Sequence, residues 1–424
     1  MRATSLALIA ILSTAGACTA ASDTPTFRPI TGYLSADYFT LASQESDPSS
    51  AVSYQIVTHY VPAAGSKWTF DLNLRSRHHL DGLRRSTRYV YDAKAAYRTD
   101  SVGAVVGRMS VYDIGSIGTF DGGRVDLPLG SWVVGGFGGY VPDLQTAAFS
   151  SDSQTFGGYA TRTFQNGSRS DMAFAELRRF GQTERRWVSV QNFLYVKPGT
   201  SLYQSAEYEL GNGIPAGNRL ARFLASGSAA LTGRASVSGS FSFGRAIDYQ
   251  RIALAGSAGE VITDPGIVGA FYYENATVSM RYRVTPSWRI LGGFALFRRS
   301  QSGVLVRQVR MGVSGEALAG ISFSGNYARS FDDSGGRGVL SVTASRSFGD
   351  LSVDVSYSNY GDAIALVETG TVLQPTLVPG YRIVELTGAY RLTNGLSVVA
   401  EVQRASGADS KYTTFFLRSS YRIR

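Results

Sequence analysis

The chain has 424 residues, of which 44% are hydrophobic, 17% are charged and 12% are aromatic. This composition is too apolar for a disordered chain, and no segment reaches the roughly 18 uninterrupted apolar residues of a transmembrane helix. The formal net charge of +9 arises from 41 basic residues that are scattered along the chain. Because there is no lysine-rich tail and no basic helix, we do not expect nucleic-acid binding.

The N-terminus has the features of a secretory signal. Arg2 supplies a positive charge, residues 6–12 are an apolar stretch, and residues 15–17 form a small-residue cleavage site. Residues 1–21 are therefore predicted to be a signal peptide, and residues 22–31 a short periplasmic segment. Cys18 is the only cysteine, which excludes an intramolecular disulfide. Its position after the small residues leaves two alternatives open, lipidation of a degenerate lipobox or a bystander near the new terminus.

Residues 52–75 show the pattern on which the fold prediction depends. Apolar and polar residues alternate from Val52 to Tyr60, and again from Trp68 to Arg75 after a turn at residues 62–66. Successive side chains of an extended strand point to opposite faces of a sheet. This period of two therefore predicts a β-hairpin with one apolar face and one polar face.

Similar patterns recur from residues 32–40 to residues 412–423. They predict about 22 strands, within a range of roughly 16 to 22. Residues 32–424 are thus predicted to form an all-β domain, a single transmembrane antiparallel β-barrel. Since only residues 22–31 separate the signal peptide from this domain, no plug domain is expected.

The connections between the predicted strands alternate in length. Short connections lie at residues 62–66, 98–101, 127–131, 197–200, 285–287 and 348–350, and long ones at residues 42–50, 76–86, 141–154, 246–268 and 361–380. A transmembrane barrel has short periplasmic turns at one rim and long extracellular loops at the other. A soluble β-sandwich has no reason to sort its loops in this way.

Large aromatic residues collect near the short turns. Trp68, Trp132 and Trp288 each begin a predicted strand directly after a short turn. Five tyrosines lie near strand ends that lead into such turns, namely Tyr60, Tyr97, Tyr195, Tyr282 and Tyr390. Amphipathic rings at one rim are typical of the girdle at a membrane–water interface.

With these features, the whole chain resembles the porin-like outer-membrane β-barrels of Gram-negative bacteria. The last strand is similar to the one that the barrel-assembly machinery recognises, with alternating Phe415, Leu417, Ser419, Tyr421 and Ile423. The recognised strand usually ends in an aromatic residue, whereas this chain ends in Ile423 and Arg424. Three glycine-rich stretches, residues 107–108, 120–123 and 138–143, are also similar to a part of porin-like barrels of no assigned function. The resemblance implies a place in the bacterial outer membrane, contact with its lipid and lipopolysaccharide, and assembly by that machinery. It leaves a homo-oligomer open.

The polar face of the strands is the candidate functional surface. The pore-lining candidates are Gln55, His59, Lys67, Asp71, Arg75, Arg88, Lys94, Glu207, Glu209, Arg281 and Arg283. Rings of charged side chains set the ion preference of a pore, so mixed signs with a basic surplus predict a weak preference for anions. The alternative is that these residues pair across strands and only keep the interior hydrated.

Catalytic and metal-binding patterns are weak. His59 and Asp71 lie across the same hairpin with Ser53 on the same face, but no serine is distinguished as a nucleophile. His78 and His79 are adjacent and are placed in the loop after the hairpin, with no metal-ligand pattern beside them. We therefore expect no enzyme activity, no cofactor and no metal.

The sequence thus favours a porin-like channel for passive diffusion of small hydrophilic solutes. The long loops at residues 246–268 and 361–380 are the segments expected to narrow such a channel. The alternative is a barrel that sheathes a partner, as in polysaccharide export or an electron-transfer conduit. An outer-membrane hydrolase is the least favoured reading.

Overall fold

The computed structural model describes residues 28–43, 48–81, 86–111, 114, 117–143, 147–211, 218–246, 271–299, 305–317, 320–332, 335–361, 363–369, 372–378, 380–392, 395–407 and 411–423. The predicted signal peptide, Cys18 and most of the long loop at residues 246–268 lie outside these ranges. Within them, no helix is both long enough and apolar enough to cross a membrane.

The described residues form 24 strands. In chain order these are β1 (Ile30–Ser43), β2 (Ser49–Tyr60), β3 (Trp68–His79), β4 (Thr87–Arg98), β5 (Gly103–Val111), β6 (Gly118–Leu129), β7 (Trp132–Tyr140), β8 (Ser153–Thr163), β9 (Arg169–Arg179), β10 (Gln182–Lys197), β11 (Thr200–Glu209), β12 (Arg219–Ala230), β13 (Ala235–Ala246), β14 (Phe271–Arg283), β15 (Trp288–Arg299), β16 (Leu305–Glu316), β17 (Ile321–Asp332), β18 (Gly335–Phe348), β19 (Leu351–Tyr360), β20 (Ala363–Thr369), β21 (Val372–Val378), β22 (Tyr381–Arg391), β23 (Leu396–Gly407) and β24 (Lys411–Ile423).

Twenty-two of these strands form one closed antiparallel sheet. Each strand pairs with its neighbours in the chain, except that β19 pairs directly with β22 because β20 and β21 form a separate hairpin. The sheet closes where β1 pairs with β24, from Gly32 opposite Ile423 to Ser43 opposite Tyr412. At a strand spacing of about 4.8 Å and a tilt of about 40°, such a barrel is about 44 Å across between backbones. The predicted all-β barrel of about 22 strands is confirmed.

The two rims of the barrel differ in their connections. One rim carries only short turns, which follow β2, β4, β6, β8, β10, β12, β14, β16, β18 and β22. The start of β1 and the end of β24 lie at the same rim. The opposite rim carries the longer connections, such as residues 141–152 between β7 and β8. Three connections at this long-loop rim, residues 180–181, 333–334 and 408–410, nevertheless contain only two or three residues. The alternation of loop length is therefore a strong tendency with three exceptions.

Most of the predicted aromatic girdle lies on the outer face at the short-turn rim. Trp68 packs against Tyr97 with ring centroids 5.0 Å apart, and Tyr60 packs against Phe70 at 5.9 Å. Tyr195 is the exception, because strict alternation from Ser189 along β10 places its side chain on the inner face. The prediction that Tyr195 belongs to the girdle is therefore wrong.

The glycine-rich stretches come together in the wall. Gly107, Gly122 and Gly139 are register neighbours on β5, β6 and β7. A Cβ on Gly122 would overlap the carbonyl oxygen of Gly138, so the close approach of these strands requires glycine. Beside this row, the guanidinium of Arg108 donates two hydrogen bonds of 2.6 Å to the carboxylate of Asp121. The similarity of these stretches to porin-like barrels thus reflects wall architecture.

Candidate functional site: the inner face of the barrel

Each barrel strand presents alternate residues to the two faces of the wall. Leu34 and Ile56 are opposite each other on the outer face, in the rows that carry the exposed large apolar side chains. Asp37 and Ser53 are opposite each other on the inner face, and both are buried. In barrels that span a membrane the outer rows meet lipid and a solute path runs along the inner rows, so the inner face is the candidate functional surface.

The inner face of β10–β12 holds a compact charge network. Arg185 pairs with both Glu207 and Glu209, with 2.9 Å between its Nε and Glu209 Oε1. Arg219 also binds Glu209, with Nε 2.7 Å from Oε2. The guanidinium of Arg185 stacks over the ring of Trp187, 4.6 Å from its centroid. Both carboxylates are almost fully buried, and each forms an ion pair with an arginine of a neighbouring strand.

A second paired group lies on the inner face of β6 and β8. Arg124 donates from Nε to Asp126 Oδ1 at 2.8 Å, and the hydroxyl of Tyr159 donates to the same carboxylate. On β8 and β9, Thr161 and Arg169 both donate to Asp171. Asp126 and Asp171 are therefore paired with groups of the wall itself.

Apolar side chains also pack on the inner face of the barrel next to these charged groups. A buried cluster on the inner face of β5–β10 contains Met109, Phe120, Phe137, Tyr159 and Trp187, and Ile114 from the β5–β6 connection belongs to it. Phe120 has no exposed surface and Ile114 is 1% exposed. This part of the inner face is a packed lining with little surface left for a solute.

The wall at β14–β16, two strands beyond β12 in the sheet, carries arginines with no acidic partner among the described residues. Arg281, Arg283, Arg289 and Arg310 lie on the inner face, and none of them forms an ion pair there with a residue that the structure describes. Arg283 and Arg289 are directly opposite each other across the β14–β15 pair. Like charges placed opposite each other destabilise a sheet, so this local arrangement is unfavourable unless an anion or water screens it.

Most of the pore-lining candidates occupy the face assigned to them. His59 Nδ1 is 2.7 Å from Asp71 Oδ1, Gln55 donates to Asn73 at 3.2 Å, and Lys94 donates to Asp92 at 3.2 Å. The remaining candidates on inner rows are Arg75, Glu207, Glu209, Arg281 and Arg283. Lys67 lies in the short turn before β3, where its carbonyl accepts a hydrogen bond from the Arg98 amide.

Arg88 is the candidate that the structure places elsewhere. The pairing of β3 with β4 shifts register between Asn73 and Leu74, where Tyr91 is inserted as an extra residue. Beyond this bulge Arg88 lies opposite Ser76, which shares the outer face with Leu74. Because a shift of one residue moves a side chain to the other face, Arg88 points outward and the prediction for it is wrong.

The geometry of the candidate catalytic residues does not support a hydrolase. Ser53 lies six positions from His59 along β2, about 20 Å away at the rise of a strand. Its hydroxyl instead donates to Asp37, at 3.3 Å. His78 and His79 lie within β3, not in the loop as predicted, and His78 contacts Ser76 on the outer face. No cluster of metal-ligating side chains occurs among the described residues.

Sequence reasoning missed several inner-face residues. Arg289 and Arg310 alternate correctly with apolar neighbours on β15 and β16, but both were left out of the candidate set. The sequence did contain a signal for them: each is adjacent to an outward apolar residue, Trp288 or Met311, so alternation places it on the inner face. Arg185 was not identifiable, because a bulge between Thr183 and Arg185 breaks the alternation just before it.

Comparisons with known proteins identify the fold. No family model matches the sequence, and no curated protein matches it. Among solved structures, a double mutant of the ferric enterobactin receptor PfeA from Pseudomonas aeruginosa is 10% identical, with 92% of this chain and 80% of that chain covered and a TM-score of 0.57. The siderophore receptor PirA from Acinetobacter baumannii is 8% identical, with 94% and 81% covered and a TM-score of 0.55.

A third similar structure is OccK3 (OpdO) from Pseudomonas aeruginosa, 11% identical, with 93% of this chain and 95% of that chain covered and a TM-score of 0.45. None of the three is named as an enzyme. The closed 22-stranded sheet and the first two likenesses together show that this chain has the fold of outer-membrane β-barrel proteins.

Proposed function

We propose that this outer-membrane β-barrel resides in the bacterial outer membrane and is a porin-like channel for passive diffusion of small hydrophilic solutes, with a weak preference for anions. The observation that carries the proposal is the contrast between two neighbouring parts of the inner face. The inner arginines of β14–β16 form no ion pair with a described residue, whereas Glu207 and Glu209 on β11 are paired with Arg185 and Arg219.

The preference for anions follows from this distribution of charge. A solute that moves along the inner face meets positive charge from Arg281, Arg283, Arg289 and Arg310. Glu207 and Glu209 contribute little opposing field, because each is buried beside an arginine. Charged rings in a pore attract the opposite ion and repel ions of like charge. The preference is weak because Glu385 and Glu401 also occupy inner positions on β22 and β23.

Planar bilayers test the channel. We expect the purified protein to insert and to give stepwise, ohmic conductance, with a reversal potential in a salt gradient that indicates mild anion selectivity. A bilayer that stays sealed at saturating protein would exclude passive diffusion.

A matched pair of variants tests the role of the arginines. Arg281→Gln, Arg283→Gln and Arg289→Gln together should shift the reversal potential toward cations while leaving single-channel conductance similar. The control is Arg382→Gln, Arg404→Gln and Lys411→Gln, which removes the same charge from the outer face. Equal shifts in the two triple variants would show that the inner arginines do not set selectivity.

The strand number supports a second candidate, a sheath for a partner such as a polysaccharide-export or electron-transfer protein. Barrels of 16 to 18 strands leave an aqueous channel, whereas 22-stranded outer-membrane transporters fill the lumen. All the described strands except β20 and β21 belong to the wall. A protein that co-purifies at one copy per barrel, together with sealed bilayers, would favour the sheath over the channel.

A further inference from the structure

The outer face of β22–β24 carries a cluster of cations near the long-loop rim. Arg382 on β22, Arg404 on β23 and Lys411 on β24 are all exposed, and we call these three residues the basic patch. Ser406 is the register partner of both Arg382 and Lys411, while Arg404 lies two positions further along β23. Diagonal neighbours of this kind have Cβ atoms about 7–8 Å apart, so the three charges can converge on one ligand.

The charges of the basic patch are not neutralised by the wall. None of the three residues forms an ion pair with any residue that the structure describes. The outward positions of the described parts of β22, β23 and β24 contain no aspartate or glutamate. The patch is thus a local positive field on the membrane-facing surface.

The basic patch lies at the height of a lipid headgroup. Its residues are eight to twelve positions from the short-turn ends of their strands. With a rise of about 3.3 Å per residue and a tilt of about 40°, they lie about 20–30 Å from the short-turn rim. The apolar band of such barrels is about 25 Å tall, so the cations are at its upper edge.

Apolar side chains continue the surface directly below the cations. Val384 is opposite Arg404 and is 50% exposed, and Val402, two positions below Arg404, is 42% exposed. Phe415 lies opposite Val402 on β24. Cations above an exposed apolar strip are suited to a lipid that has an anionic headgroup and acyl chains. A free phosphate ion has no acyl chains and would leave the strip uncovered.

From this juxtaposition we propose that the basic patch binds the phosphorylated headgroup of lipopolysaccharide, the glycolipid of the outer leaflet, with its acyl chains on the Val384–Val402 strip. The assignment depends on the outer-membrane location given in the proposed function, and it is independent of whether the barrel conducts. The long-loop rim faces the cell exterior in such barrels, which places the patch in that leaflet. Arginine forks bind phosphate oxygens in pairs, and each cation near an anionic surface contributes to attraction.

A second set of outward arginines serves as an internal comparison. Arg298, Arg307 and Arg329 occupy diagonal positions on β15, β16 and β17. Glu274 lies directly opposite Arg298 across the β14–β15 pair, so the positive field there is reduced. We therefore expect this set to bind the same glycolipid more weakly than the basic patch.

Native mass spectrometry of the detergent-solubilised full chain tests the proposal with purified, bisphosphorylated lipopolysaccharide as the probe. We expect the Arg382→Gln, Arg404→Gln, Lys411→Gln variant to bind the probe at least about tenfold more weakly than the unmodified protein. The control Arg281→Gln, Arg283→Gln, Arg289→Gln removes the same charge from the inner face and should bind normally. Enzymatically dephosphorylated lipopolysaccharide should bind the unmodified protein with a similar loss.

Three outcomes would overturn the proposal. These are equal losses in the two triple variants, undiminished binding of the dephosphorylated probe, and equally tight binding of phosphatidylglycerol, which would assign the patch to anionic phospholipid. Heat-modifiable gel mobility of each variant verifies that it is folded. Because binding is measured without a bilayer, loss of conductance would contradict the channel and leave this proposal standing.

Discussion

Arg418 on β24 donates hydrogen bonds from Nε and Nη2 to the two carboxylate oxygens of Asp37 on β1, at 2.7 and 3.3 Å. The two residues are 381 positions apart in the chain, and their ion pair spans the seam at which the barrel closes. Asp37 is 6% exposed and also accepts a hydrogen bond from Ser53, while Arg75 lies 3.8 Å away. The first and last strands are thus joined by a buried carboxylate as well as by their backbone ladder.

Removing the arginine of this seam pair should weaken the barrel. In Arg418→Leu the buried carboxylate of Asp37 loses its shortest contact, and we expect a loss of about 1–3 kcal/mol in the free energy of unfolding. The measurement is the temperature at which the folded gel band converts to the unfolded one. Arg422→Leu is the control, because Arg422 shares the inner face of β24 but forms no ion pair with a described residue. Identical transition temperatures for the two variants would mean that the seam pair contributes nothing.

Engineered cysteines should capture the closed seam directly. Ser35 and Ser420 are register partners on β1 and β24, at a separation that a disulfide can span. We expect Ser35→Cys with Ser420→Cys to form a cross-link that changes the mobility of the denatured chain until it is reduced. Cys18→Ser in the background removes the only natural cysteine.

The matched control for the cross-link uses the next strand. Ser420 is also the register partner of Ser397 on β23, so Ser35 and Ser397 are two strands apart, about 9–10 Å. The pair Ser35→Cys and Ser397→Cys should therefore stay reduced. Cross-linking of this pair in place of the first would show a different order of strands at the seam.

Glycine is required where neighbouring strands approach closely. A Cβ on Gly157 would overlap the carbonyl oxygen of Phe174, whereas a Cβ on Gly292 would meet no atom within 4 Å. Gly157→Ala should therefore destabilise the barrel by about 1–3 kcal/mol, as overpacking does. Gly292→Ala should be neutral or slightly stabilising, because it restricts the unfolded chain. Chemical denaturation in detergent compares the two, and equal midpoints would contradict the close packing of β8 against β9.

Glu207 and Glu209 should behave as structural residues. Arg185→Gln leaves both buried carboxylates without their shared arginine, so we expect a loss of about 3–5 kcal/mol in the free energy of unfolding. Adding Glu207→Gln to that variant should restore part of the loss. In bilayers, Glu207→Gln alone should shift the reversal potential less than Arg283→Gln does. A larger shift for Glu207→Gln would make this carboxylate part of the solute path.

The fold was predictable because the relevant signal is local. Alternation along residues 52–75, repeated through the chain, gives the strands, and the lengths of successive connections order them into a meander. The prediction of the topology assumed only that strands consecutive in the chain pair with each other, as they do in antiparallel hairpins. The functional side chains were less predictable, because their face depends on register. One bulge at Tyr91 is enough to turn Arg88 outward.

The sequence by itself determined the architecture: an antiparallel barrel of about 22 strands with aromatic residues at the short-turn rim. The apolar cluster on the inner face of β5–β10 was decided only by the tertiary structure. Only the tertiary structure decided which charges are free, because ion pairing depends on residues brought together from different strands. Glu209 meets Arg185 and Arg219 from two neighbouring strands, whereas Arg283 meets Arg289, which cannot neutralise it. Closure also decided which basic residues lie on the outer face, since a face becomes inside or outside only when β24 pairs with β1.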